Sequence, residues 1–210
     1  LTILEGYGLT ETSPVTNLCR PEEQRRGSVG MPIVDVHERI VDEHENDLPS
    51  GEDGEIRITG PNIMKGYYNL EEETAMAFDS QGYFKTGDMG QLDEDGFLYI
   101  TGRIKEMLII GGENVFPREI EEVLTNHPDV IAAGVVGRSD ISRGEVAVAF
   151  VELVKGASFD EHALRAWCRE TVAPFKVPKS ITVLEELPRN PTGKIMRREL
   201  SKMVTKEIAK

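Results

Sequence analysis

Thr101-Gly102-Arg103-Ile104-Lys105-Glu106 is where the chain changes character. Upstream, short alternating segments between glycine turns predict antiparallel strands over Val34 to Val41, Glu55 to Thr59 and Phe97 to Ile100. The last follows an Asp95-Gly96 turn, a hairpin signal. A short helix is expected over Leu70 to Phe78, and the acidic stretch from Asp42 to Asp53 reads as solvated turn. Leu1 to Leu4 reads as the interior of a buried strand running straight into Glu5-Gly6-Tyr7-Gly8. Such a strand needs neighbours for its backbone groups, so the chain is expected to be the back part of a longer protein.

Downstream of Arg103 the pattern turns to longer apolar runs and amphipathic helices. Met107 to Ile110 reads as a strand, Gly111-Gly112 as a turn, and Pro117 opens a helix where proline is tolerated. That helix carries Ile120, Val123 and Leu124 on one face and Glu119, Glu121 and Glu122 toward solvent. Val130 to Val136 and Val146 to Val154 are two strong strands, Phe159 to Val172 a helix, Ile181 to Leu184 a strand, and Met196 to Val204 a final helix. The expected fold class is α/β of the α+β kind. Residues 1–103 would be the end of a large domain with a small antiparallel β subdomain, and 104–210 a compact α+β domain.

Composition sets outer bounds. The 210 residues are 39% hydrophobic and 29% charged, which excludes collagen-like, low-complexity and wholly disordered chains. A net charge of −13 argues against nucleic acid or an anionic membrane as principal partner. No apolar run approaches the roughly 18 residues of a membrane span, and no secretory signal opens the chain. Cys19 and Cys168 have no metal or redox spacing, which fits a reducing, cytoplasmic location. The four histidines have no spacing suited to a metal site or a nucleophile's base.

Four constellations carry candidate chemistry. In Gly6-Tyr7-Gly8-Leu9-Thr10-Glu11, glycines permit close backbone approach to a phosphate, a hydroxyl can donate to it, and a carboxylate can hold Mg²⁺. In Thr86-Gly87-Asp88, an ionised aspartate can accept hydrogen bonds from both ribose hydroxyls, although in isolation the triplet reads as a plain Gly-Asp turn. Gly102-Arg103 supplies a planar donor fork, and Gly111-Gly112-Glu113 a flexible backbone turn. Finally, Pro188-Arg189-Asn190-Pro191-Thr192-Gly193-Lys194 presents a lysine on a surface loop ahead of a helix. Each is weak alone. Trp167 and Cys168 read as core, and Arg189, Lys194, Arg197, Arg198 and Lys202 mostly as a solvated face.

Their order is specific. Tyr-Gly-Leu-Thr-Glu, Gly-Glu-Ile with Gly66-Tyr67-Tyr68-Asn69, Thr-Gly-Asp, Gly-Arg-x-Lys-Glu and Pro-Thr-Gly-Lys together resemble the adenylate-forming superfamily over essentially the whole chain. That superfamily includes acyl-CoA synthetases, firefly luciferase and the adenylation domains of peptide synthetases. The resemblance implies ATP or AMP, Mg²⁺ and coenzyme A as cofactors and a small carboxylic acid as substrate. By it, Gly6, Tyr7, Gly8 and Thr10 would line the adenine and phosphate region, with Thr10 on phosphate and Glu11 on the metal. Asp88 would hold the ribose hydroxyls, assisted by Arg103. Lys105 would be the hinge of a mobile C-terminal lid domain. Gly111, Gly112 and Glu113 would line the pantetheine tunnel, and Lys194 would serve adenylation. One departure is Ile109, where some aryl-CoA ligases carry a lysine.

The stretch Gly112-Glu113-Asn114-Val115-Phe116-Pro117 is similar to the acyl-CoA synthetase version. A CoA ligase for a medium- or long-chain acid is therefore the first expectation. An enzyme that loads a carrier protein or an aryl-CoA ligase is the alternative, and an incomplete fragment acting as a binding or regulatory module the second. The superfamily's upstream phosphate-binding loop and acyl pocket are not in this sequence, so the remaining N-terminal part of the same protein is an expected partner, and the chain alone is expected to be inactive.

Overall fold

A computed structural model describes residues 2–208, with side chains through Val204. Two compact units divide the chain, Leu1–Lys105 and Glu106–Lys210. Both are built on largely antiparallel sheet, and the class is α/β with helices and strands in the α+β arrangement expected.

The first unit opens with a small sheet of β1 (Gly6–Tyr7), β2 (Asn17–Leu18) and β3 (Met31–Pro32), ordered β1-β2-β3. A four-stranded meander follows: β4 (His37–Val41), β5 (Gly54–Thr59), β6 (Phe84–Leu92) and β7 (Leu98–Arg103), with α1 (Glu71–Met76) between β5 and β6. Ile40, Ile56, Ile58 and Leu98 form its core with Val29 and Val36, and Tyr7 packs against them. Alternation places these side chains on one face of the pleat.

Three expectations need correction here. Thr2 to Leu4 forms no strand and is exposed, Ile3 to 76%; pairing begins only at Gly6, opposite Leu18. Leu1 lies outside the described residues. The Val34–Val41 strand starts at His37, because Asp35 has φ +63° in a turn closed by Val36 N–H to the Ile33 carbonyl, which leaves Val34 81% exposed. Thr86-Gly87-Asp88 is no turn but the middle of the nine-residue β6. Register shifts on both sides of β6, with Gly87 at φ +69°, mark bulges that break the alternation and hid this strand from periodicity.

In the second unit, β8 (Leu108–Ile110) and β9 (Glu113–Val115) make a hairpin around Gly111-Gly112, at φ +65° and +90°. Then come α2 (Pro117–Thr125), β10 (Val130–Asp140), β11 (Gly144–Leu153), α3 (Glu161–Thr171), β12 (Ser180–Val183) and α4 (Arg197–Ile208). One edge of β11 pairs with β10 along its length. The other edge is shared, with β8 at Gly144 and β12, parallel, from Val148 to Val151. Helices cover both faces. Ala133, Val135, Ala149 and Val151 meet Ile120, Leu124, Leu164 and Cys168 on one side, while Ala132, Val136, Val148 and Phe150 meet Leu187, Leu200 and Val204 on the other. Burial on both faces explains why β10 and β11 read as continuous apolar runs rather than alternating ones. Gly134 makes room for α4, since a Cβ there would lie 2.5 Å from Leu200 Cδ1. Trp167 packs against the first of these cores and donates its indole N–H to the Val123 carbonyl at 2.8 Å.

Candidate functional site: a buried aspartate and a glycine loop

Three of the motifs meet at Asp88. Its residue is 3% exposed on β6, directly opposite Arg103 in the β6–β7 ladder. Arg103 Nε lies 2.9 Å from Oδ1, and the Tyr7 hydroxyl donates to Oδ2 at 2.6 Å. The charged donor and the phenol offset the cost of burying the carboxylate. Burial, and next the neighbouring Asp88 charge, push the Tyr7 phenol far above its ordinary range. That hydroxyl therefore remains a donor at any physiological pH. The bulge is what aims Asp88 here. Thr86 Oγ accepts from the Asp88 N–H at 3.1 Å and donates to the Ile56 carbonyl at 2.7 Å, pinning the strand on each side of Gly87.

The loop after Tyr7 is ordered by its own contacts. Thr10–Thr12 forms a single 3-10 turn, and Ser13 beyond it sits at φ +53°. Thr12, fully buried, accepts from the Leu9 N–H at 2.9 Å. Asn62 donates to the Thr12 and Val15 carbonyls at 2.9 and 3.0 Å. At Gly8 a Cβ would sit 1.6 Å from the Pro14 carbonyl oxygen, so the glycine is needed for the loop to fold back on itself. Thr10 is exposed, and Glu11 half-exposed, receiving the Tyr67 hydroxyl at 3.1 Å while its carbonyl accepts from the Met64 N–H at 2.8 Å. Asn62 and Tyr67 thus hold the loop from the segment that follows β5. Tyr67 belongs to a motif read in the sequence, but its partner, 56 residues away, was not readable there.

A magnesium site must be judged by the donors present. No group of three or more histidine, cysteine, aspartate or glutamate side chains is clustered for a metal among the described residues. Mg²⁺ commonly takes one or two carboxylates and completes its shell with phosphate oxygens and water. A single accessible carboxylate such as Glu11 fits that mode.

The other candidates lie on separate elements. Lys105 is the exposed last residue of the first unit, in the 3-10 turn Ile104–Glu106. Gly111, Gly112 and Glu113 are exposed at the tip of the β8–β9 hairpin, and nothing lies within 4 Å of a Cβ built at either glycine. Ile109 beside them is exposed. Lys194 is exposed on a loop with a built frame. Arg189 bridges to Ile195, and Asn190 and Lys194 are joined by an N–H to carbonyl bond of 2.9 Å. Asn190 Oδ1 accepts from the N–H groups of Thr192 and Lys194. The hairpin's Leu108, Ile110 and Val115 belong to the core on one face of the sheet, while Ile195 packs into the core on the other.

One reading of the basic run is corrected. Arg197 is no solvated side chain but bridges Glu106 and Glu121, each at 2.6 Å, and Arg189 reaches Glu152 at 3.3 Å.

The family model for AMP-binding enzymes matches residues 1–68, and that for the AMP-binding enzyme C-terminal domain matches 119–194. A 2-succinylbenzoate–CoA ligase of Geobacillus kaustophilus is 46% identical over 98% of this chain and 42% of its own length. A long-chain-fatty-acid–CoA ligase of Bacillus subtilis is 44% identical over 94% of this chain and 36% of its own. The crystal structure of ATP-bound MatB from Rhodopseudomonas palustris superposes with a TM-score of 0.90 at 37% identity, covering 97% of this chain and 41% of that one. The chain thus spans about two fifths of the length of the relatives it matches. By its ordered motifs, its fold and both matched domain models, the chain belongs to the adenylate-forming AMP-binding enzymes, of which it is a C-terminal portion.

Proposed function

We propose that the chain serves an acid–thiol ligase that activates a carboxylic acid with ATP and passes it to coenzyme A. The observation that carries this reading is the meeting of Tyr7, Asp88 and Arg103 around one buried carboxylate. A carboxylate already desolvated and oriented by a guanidinium is suited to accept paired hydroxyls such as those of a ribose.

In the first step the acid's carboxylate attacks the α-phosphorus of ATP, the bond to pyrophosphate breaks, and acyl-AMP forms. Asp88 and Arg103 hold the sugar, and the exposed Thr10 hydroxyl donates to phosphate. Lys194, carried on its Asn190-closed loop, offsets the charge on the phosphate oxygens. Mg²⁺, held through Glu11, would supply further neutralisation of phosphate charge when bound. Positioning and electrostatics provide most of the rate in such transfers. In the second step the thiol sulfur of coenzyme A attacks the acyl carbon, AMP leaves, and the thiol proton passes to solvent. Residues 104–210 act as a mobile lid turning at Lys105, with the Gly111-Gly112-Glu113 hairpin serving this step. The placement of the hairpin and the lysine loop on cores at opposite faces of one sheet supports a lid with two working sides.

A medium- or long-chain acid is the first substrate proposed. An aromatic acid is the second, favoured by the similarity to 2-succinylbenzoate–CoA ligase. The test uses the complete open reading frame that encodes this chain. A panel of acids is assayed for pyrophosphate release, and thioester formation is measured with coenzyme A and with a phosphopantetheinyl carrier. Lys194→Ala is expected to lower adenylation by about 10²-fold or more, while thioester formation from supplied acyl-adenylate stays near that of the unsubstituted protein. Equal loss in both half-reactions rejects the role given to Lys194.

A further inference from the structure

Arg197 stands three residues beyond Lys194, at the first turn of α4, and all three nitrogens of its guanidinium donate to carboxylates. Nη1 donates to Glu106 Oε2 at 2.6 Å, Nη2 to Glu121 Oε2 at 2.6 Å, and Nε to Glu121 Oε1 at 3.1 Å. All three side chains are largely shielded from solvent, at 27%, 33% and 13% exposure. Glu121 also accepts from the Val135 N–H at 2.7 Å, which ties the cluster to β10. Burial alone would lower the Arg197 pKa, but the two carboxylates outweigh it and hold the group charged.

These contacts join distinct parts of one unit. Glu106 follows Lys105 and begins the second unit, Glu121 lies on the helix after the glycine hairpin, and Arg197 opens the helix after the lysine loop. The loop leaves its frame at Met196, whose N–H donates to the Pro188 carbonyl at 2.7 Å, so the residue that closes the loop is bonded directly to Arg197. On the opposite stem, Arg189 donates to the Gly193 carbonyl and to Glu152. A planar fork satisfied by two carboxylates fixes direction as well as distance, which a lysine cannot do.

We propose that Arg197 is a positioning residue for adenylation: by clamping Glu106 and Glu121 it holds the Lys194 loop in fixed register with Glu106, the first residue of the second unit, so that the loop and that end of the unit move as one body. The inference rests on the adenylation reading of Lys194 but names a different residue and predicts a different signature. Breaking the clamp leaves the lysine in place yet blurs its position, and this lowers turnover rather than nucleotide binding.

The experiment compares Arg197→Gln, Arg197→Lys and Glu106→Gln in the complete open reading frame, with each half-reaction measured separately. It adds amide hydrogen exchange across residues 188–196. For Arg197→Gln, kcat of pyrophosphate release is expected to fall about tenfold with the KM for ATP within about twofold. Thioester formation from supplied acyl-adenylate should remain within about twofold. Exchange across 188–196 should quicken while β10 and β11 stay protected, and Arg197→Lys and Glu106→Gln should fall between. Equal loss in both half-reactions, as general loosening of the unit would produce, overturns the proposal, and so does unchanged exchange across 188–196. Should the unsubstituted protein release no pyrophosphate with any acid, the adenylation reading and the catalytic part of this proposal fall together, and the exchange comparison decides the clamp alone.

Discussion

Asp88 shows how little a single residue declares in a sequence. As the third letter of Thr-Gly-Asp it looks like a turn residue, whereas in the fold it is buried and held by partners 81 residues upstream and 15 downstream in the chain. Asp88→Asn removes the charge that Arg103 faces, and titration with AMP is expected to show affinity weakened about tenfold. Tyr7→Phe, which leaves the Arg103 pair intact, should weaken AMP binding less and cost on the order of 1 kcal/mol in thermal unfolding. Glu38 makes a separate prediction. Partly buried on β4 and held by Asn17 Nδ2 at 3.0 and 3.1 Å, its carboxyl is pushed up by burial to about 7, despite the opposing pull of that amide. The folded state holds the proton more tightly than the unfolded one. Stability from this group is therefore present at low pH and lost as pH rises from about 4.5 to about 7. Against Glu38→Gln, the unsubstituted protein should lose on the order of 1–3 kcal/mol across that window, measured by denaturant melts at each pH.

Among the elements, the lysine loop and the glycine hairpin differ in what glycine and asparagine do for them. Asn190 accepts from two backbone N–H groups and so makes the 190–194 turn a fixed structure rather than a flexible arm. Asn190→Ala should lower adenylation several-fold while leaving the melting temperature within a few degrees, since the loop is exposed and the change removes about 1 kcal/mol of local bonding. At Gly111 and Gly112 the constraint is backbone alone: both have positive φ, with open space where a Cβ would go. Alanine there strains the turn but collides with nothing, whereas at Gly8 it would strike the Pro14 carbonyl.

For the whole molecule, the decisive feature is two units with separate cores. The core of Ile40, Ile56, Ile58 and Leu98 shares no residue with those around β10 and β11. Unfolding in denaturant should therefore depart from a single transition. Trp167, the one tryptophan of the chain, lies in the second unit, so its fluorescence reports that unit while circular dichroism reports both. The two curves are expected not to coincide; superimposable curves would show that the units unfold as one.

The sequence by itself determined the family and the outline of the second unit. The ordered motifs are local strings, and runs such as Val146 to Val151 must be buried on both faces wherever they pair. It did not determine β6, whose alternation is interrupted by bulges, nor that Thr2 to Leu4 pairs with no strand among the described residues. Only the tertiary structure decided that Tyr7 and Arg103 share one carboxylate, or that Arg197 turns inward to Glu106, 91 residues away. The reason is physical. Periodicity records which face of an element is buried, but the partner of a charge is set by long-range packing, and that leaves no local period to read.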